Sequence, residues 1–167
     1  MDLGLFGLRN TARRYPDLDL VAGDVYQLPF GPRTFDGAVL SEVLEHLAHP
    51  ERALKGLRVI LKDEGWLLIC VPYREKIRQT LCIHCNRLTP VDAHLHSFDE
   101  GSVRRLAESA GFVPVRTLRF MDSGLERFGF ARLSSPFPYL VWGVIDLLMV
   151  RLRDQPSYLL ALFRRGL

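Results

Sequence analysis

The chain has 167 residues, 48% of them apolar and 25% charged, the balance of one globular domain rather than a disordered tail or a disulfide-stapled mini-protein. A net charge of +3 is too mild to argue for a nucleic-acid partner. The longest apolar stretch, residues 137–150, is broken by Asp146 and falls short of the roughly 20 residues that cross a bilayer. Cys70, Cys82 and Cys85 make an odd count, and the start MDLGLFGLRN lacks the basic opening of a signal peptide. The expected location is therefore a reducing cytoplasm.

In chain order, residues 3–14 (LGLFGLRNTARR) place Leu5, Leu8 and Ala12 at helical spacing before Tyr15-Pro16, a helix closed by the residue preceding proline. Residues 18–22 (LDLVA) form a short β-rich run that stops at Gly23-Asp24. Residues 35–40 (FDGAVL) predict a second, buried strand leading into residues 41–46. Residues 50–61 predict an amphipathic helix, with Pro50 at its start and Ala53, Leu54, Leu57, Ile60 and Leu61 on one face. Asp63-Glu64-Gly65 breaks it.

Residues 66–71 (WLLICV), stopped by Pro72, predict a strand buried on both faces. Residues 73–98 lack clean periodicity and read as a long loop insertion rich in Cys and His. Ser97 or Asp99 caps a helix over residues 100–110 that Gly111 closes. A strand over 113–120, an irregular stretch at about 121–136, an apolar helix near 138–152 and a last strand over 157–165 follow. Strands alternating with helices predict an α/β fold, a doubly wound, mostly parallel sheet, whose last two strands pair as an antiparallel edge. One domain, 1–167, is expected.

Three strings in this order, GDVYQLPF at 23–30, FDGAVLSEVLEHLAHPERAL at 35–54 and RVILKDEGWLLICVP at 58–72, resemble the class I S-adenosylmethionine-dependent methyltransferases of the small-molecule "type 11/type 23" kind. The resemblance implies a Rossmann-like sheet, S-adenosyl-L-methionine as cofactor and methyl transfer to a small-molecule acceptor. It also implies that the family's first strand and glycine-rich turn would lie before Asp2, so the fold is truncated at its N-terminus. The runner-up is a remnant of the fold acting without catalysis as a partner-binding or membrane-surface module.

The same resemblance implies that Asp24 accepts from the adenine amino group, that the Val25 N–H donates to the adenine ring, that Asp2 holds the ribose hydroxyls, and that Ser41 lines the cofactor site. Read from the residues, Asp24 equally caps the turn that follows it, and Asp2 is equally a terminal acid. Glu42, Glu45 and His46 at i, i+3 and i+4 share one face of a helical turn. They either hold a hard divalent ion or line the pocket, with His46, beside Glu42, as a general base.

Cys82 and Cys85 in a C-x-x-C knuckle, with His94 and His96, have the donors for a structural zinc. The alternative is a reduced, metal-free loop whose histidines line the pocket. Cys70, inside an apolar strand, reads as core. From Arg104 onward the chain holds ten Arg against five acidic residues. Within that basic part, residues 137–153 read either as a lid helix over the substrate pocket or as an interfacial helix making peripheral membrane contact, with Tyr139 and Trp142 among the headgroups and Arg151 and Arg153 on anionic lipid.

Overall fold

The computed structural model of the protein describes residues 1–124 and 139–166. Helix α1 (Leu5–Arg14) ends where the Tyr15 N–H donates to Thr11 O, one residue before Pro16, and none of its residues is buried. The strand expected over 18–22 reduces to one parallel bridge between Ala22 and Asp2, because among the described residues Asp2 alone brings a backbone alongside it. There follow β1 (Phe35–Ser41), a 3-10 turn (Leu44–His46), α2 (Pro50–Ile60), β2 (Leu61–Pro72), β3 (Gln79–Leu81), β4 (Leu88–Pro90), α3 (Glu100–Ser109), β5 (Phe112–Asp122), α4 (Tyr139–Arg153) and β6 (Pro156–Arg165).

The main sheet has the order β1-β2-β6-β5. Strand β1 runs parallel to β2, and β6 runs antiparallel to both of its neighbours. Three of the four strands therefore point the same way, and the antiparallel β5/β6 pair closes one edge. This is the mostly parallel α/β sheet with an antiparallel edge that the alternation of elements predicts, in the Rossmann-like arrangement that the resemblance implies. Leu67, Ile69 and Val71 of β2 are fully buried, in one cluster with Leu54, Leu57 and Ile60 of α2 and Val103 and Ala107 of α3.

Three sequence expectations are corrected. Strand β1 is not buried: it is an edge strand, and only Leu40 of its seven residues is buried while Val39 is 68% exposed. Strand β2 is buried on one face only. Trp66 on its other face is 41% exposed and Leu68 half-buried, because α2 and α3 cover the Leu67 face, α1 buries nothing and α4 packs on β5. Residues 73–98 are not simply a loop, since β3 and β4 form an antiparallel hairpin within them, paired from Gln79–Pro90 to Leu81–Leu88. Three-residue strands are too short to display a period.

The ends of α3 are fixed by side chains. Asp99, not Ser97, is the cap: its carboxylate accepts the Ser102 N–H at 2.8 Å, and Ser102 Oγ accepts the Asp99 N–H at 2.8 Å. Past the helix, Gly111 takes φ +87°, and a Cβ there would stand 2.6 Å from Arg58 Nε. That room lets Arg58 donate to the carbonyls of Gly111 and Gly166.

Helix α4 is anchored by a polar group. The carboxylate of Asp146, 3% exposed, accepts the N–H groups of Met121 and Asp122 at 2.7 and 2.8 Å. Its apolar residues Leu140, Leu147, Leu148 and Leu152 are exposed. Of the irregular stretch expected at about 121–136, Met121 and Asp122 continue β5; residues 125–136 and the start of the expected lid, through Pro138, lie outside the described residues.

The Asp99 carboxylate is held below its ordinary pKa by the Ser102 amide and hydroxyl. A depressed carboxylate contributes stability that is complete above its unfolded pKa of about 3.9 and is lost as pH falls through the lower folded value. Asp99→Ala is expected to destabilise the fold by about 1 kcal/mol at neutral pH. In urea melts that difference shrinks toward zero in strong acid; a constant difference at every pH contradicts this account of the cap.

Candidate functional site

In an open α/β sheet the ligand lies beyond the carboxyl ends of the parallel strands. Here those ends are Ser41 of β1 and its partner Cys70 of β2. The Glu42 N–H donates to Cys70 O at 3.0 Å, and Glu42 adopts φ +53°, a left-handed turn that a non-glycine residue holds only under constraint. The chain then drops into the 3-10 turn, where Glu45 is fully buried and His46 half-exposed. The expected single helical face does not form, because the turn spans residues 44–46 only. The charges of Glu45, His46 and His94 nevertheless all act on Glu42.

A strap of hydrogen bonds brings a distant segment to this turn. The Glu45 carbonyl accepts the N–H groups of Leu95 and His96, at 2.6 and 3.3 Å. His46 Nδ1 meets Ala93 O at 3.2 Å, and His96 Nε2 meets Leu47 O at 2.8 Å. As donors to carbonyls, these ring nitrogens fix both tautomers. His94 is thereby set edge-on to His46, ring centres 4.7 Å apart, with its own Nδ1 on the Glu75 carboxylate. His96 serves as part of the strap. Cys82 and Cys85 occupy the turn of the β3–β4 hairpin, where Asn86 N–H donates to Cys82 O. Among the described residues, the donor atoms that converge are those of Glu45, His46 and His94, within 4.8 Å of one another. The expected set of Cys82, Cys85, His94 and His96 is not brought together as four.

Burial first, and then the Glu45 charge, raise the Glu42 pKa, while burial raises that of Glu45. Burial opposes charge on His94, but the Glu75 carboxylate outweighs it and the net direction is upward. Cys70 is not core. It is half-buried, its Sγ lies 3.8 Å from Glu42 Oε1, and burial together with the Glu42 charge pushes its thiol up to about 11.

Two cavities flank the strand ends. A cleft of about 790 Å³ is lined by Glu42, Tyr73, Glu75, His94 and Tyr158, among others. A second, more apolar slot of about 500 Å³ runs along the free side of β1, between Asp2, Gly23, Val25 and Val43. Asp2 Oδ1 accepts the Gly4 N–H at 2.7 Å and Asp24 Oδ1 accepts the Tyr26 N–H at 2.8 Å. Both acids therefore make local turns, each with a second carboxylate oxygen.

Sequence reasoning took Cys70 for core and did not single out Glu75, Tyr73 and Tyr158. Their only signal was position, since Cys70, Tyr73 and Glu75 lie at or just after the carboxyl end of a strand.

Residues 10–117 match the family described as "Methyltransferase domain". The chain belongs to that family. This methyltransferase-domain chain is 30% identical over 112 residues to a demethylmenaquinone methyltransferase of Renibacterium salmoninarum, a match covering 65% of the chain and 47% of that relative. It is 29% identical over 124 residues to a ubiquinone/menaquinone biosynthesis C-methyltransferase of Cronobacter sakazakii, covering 71% of the chain and 49% of the relative. The chain thus spans about half the length of these curated relatives. Among solved structures, an S-adenosylmethionine-dependent methyltransferase from Mesorhizobium loti superposes with a TM-score of 0.64 at 17% identity, covering 98% of this chain and 78% of that one. At that identity the likeness shows the fold.

The thiols differ in a testable way. The amides of Cys85 and His84 lower the Cys82 pKa, and the thiolate is the reactive form. Under iodoacetamide at pH 8, mass spectrometry is expected to find Cys82 alkylated well before Cys70. Labelling of Cys70 at an equal rate contradicts its placement against Glu42.

Proposed function

We propose that this methyltransferase-domain chain serves S-adenosylmethionine-dependent transfer of a methyl group to a small, apolar acceptor. The observation that supports this most is the presence of a cleft at Glu42, just past the carboxyl end of β1, together with a slot that runs along β1 as far as Val43. The slot suits the adenosine end of the cofactor: Asp2 keeps one carboxylate oxygen beyond its turn hydrogen bond, Val25 and Val43 give an apolar wall, Asp24 follows Gly23 of the lining with one oxygen likewise beyond its turn, and Ser41 follows Leu40 of the lining. The methionine end is not matched, because the only glycine with positive φ among the described residues is Gly111, beyond α3.

The cofactor supplies a methyl group on a positively charged sulfur. The chain's own part is to hold the acceptor, exclude water and take a proton where the acceptor must lose one. Glu42, raised by burial and facing the cleft, is placed for that role, with His46 behind it. Tyr73 and Tyr158 offer ring faces to an apolar or planar acceptor.

Calorimetric titration with S-adenosylmethionine tests the cofactor reading. It is run on this chain and on the chain joined to a glycine-rich strand–helix unit from a relative. Binding is expected in the joined form, weakened about tenfold by Asp24→Ala. No heat in either form overturns the proposal.

A specific observation favours a second role at a membrane surface. Helix α4 turns Asp146 and Val150 inward and four leucines outward, with Arg151 and Arg153 in its last turn. No helix among the described residues is long and apolar enough to cross a membrane; Arg153 is turned to the buried Asp122 carboxylate rather than to lipid, but an apolar face with Arg151 at its end suits an anionic interface. The chain is expected to sediment with phosphatidylglycerol vesicles, and Leu147→Glu with Leu148→Glu to remove more than about half of that fraction. An unchanged fraction contradicts the role of α4.

A further inference from the structure

Glu45 poses a problem that methyl transfer does not solve. Its side chain is fully buried, and neither carboxylate oxygen has a hydrogen-bond partner among the described residues. A ring nitrogen, His46 Nε2, lies 4.0 Å from Oε1. A buried carboxylate with unsatisfied oxygens is costly unless something else occupies its lone pairs. Two imidazoles converge on the same point, with one donor atom from each residue lying within 4.8 Å of the others.

The surroundings prepare these rings as ligands. A metal-binding histidine usually donates its second N–H to a carboxylate or a backbone carbonyl, which fixes the ring and raises its basicity. His46 Nδ1 faces Ala93 O, which leaves Nε2 as the lone pair on the Glu45 side. His94 Nδ1 is engaged by the Glu75 carboxylate. The strap from Glu45 O to Leu95 and His96 holds both segments in register, so the ligands come from two parts of the backbone already tied together.

We infer that Glu45, His46 and His94 form a site for a first-row divalent transition cation, with zinc the best match. One carboxylate and two imidazoles are borderline donors, suited to zinc, cobalt or manganese rather than to calcium, which takes six to eight oxygens. Donor atoms around tetrahedral zinc lie about 3.3 Å apart. The present spread requires the rings to close by up to about 1.5 Å, and the half-exposed His46 ring has room to do so. Three protein ligands leave a position open, and His94 lines the cleft. The cation then lies next to the acceptor, and with His46 as a ligand the proton-accepting role falls to Glu42. The site requires neither the hairpin cysteines nor the cofactor.

Cobalt(II), whose visible absorption reports its ligands, is the probe, titrated into the untagged 167-residue chain without S-adenosylmethionine. One equivalent is expected to bind, to be displaced by zinc and to show no thiolate-to-metal charge-transfer band. His94→Ala, at a partly exposed position, and the near-isosteric Glu45→Gln are each expected to weaken binding by at least about tenfold. Glu75→Gln, at a residue that holds His94 Nδ1 but is not itself a ligand, weakens it by about tenfold through His94, while Cys82→Ser with Cys85→Ser leaves it unchanged.

Circular dichroism of each variant confirms that the fold is kept. Absence of a bound equivalent, undiminished binding in His94→Ala, or loss of binding in the cysteine variant overturns the site. Failure of S-adenosylmethionine to bind in the calorimeter leaves it standing.

Discussion

The sheet depends on β2, a strand paired along both edges and buried on one face. Its parallel ladder to β1 and its antiparallel ladder to β6 are made by the same residues, 66–70. Leu67, Ile69 and Val71 meanwhile hold α2 and α3 against the sheet. The acceptor cleft is positioned from the carboxyl end of this strand. Cys70 O receives the Glu42 amide, the strand stops at Pro72, and Tyr73 bridges to Phe98, which tethers the segment leading into α3. A substitution that loosens β2 would blur the acceptor cleft before it touched any residue lining it.

The elements legible in the sequence were those whose environment is set by neighbours close in the chain. Helix α2 announces itself through Pro50 and a stripe of five apolar residues, and α3 through Asp99 and Gly111. The antiparallel β5/β6 edge was legible as well. Burial was less so, because it depends on partners elsewhere. FDGAVL reads as a buried strand, yet β1 has a hydrogen-bonded neighbour on one side only. The apolar helix near 138–152 is hydrophobic nearly all round, so its pattern carried no direction. Only the structure shows that Asp146, the residue that looked like an interruption, is the inward anchor.

The candidate site was half legible for the same reason. Glu42 and His46 follow a strand end and are visible as such. That His94 rather than Cys82 and Cys85 belongs beside them depends on hydrogen bonds between segments 47 positions apart. The C-x-x-C spacing is a local signal and drew attention to the hairpin turn. The strap through Glu45 O is a backbone feature with no side-chain signature, so neither the depth of Glu45 nor the function of His96 could be read from residue types.

The free edge of β1 also bears on how the molecule breathes. Residues 1–23 are tied to themselves by one parallel bridge, between Asp2 and Ala22, add no strand to the main sheet, and contain a helix, α1, that buries nothing. A unit held so lightly opens by itself, at a free energy well below that of the whole domain. Amide hydrogens in α1 then exchange with solvent on a faster clock than those of β2. The wall of the slot that bears Asp2 is thus the part of the molecule that can swing away without unfolding the rest.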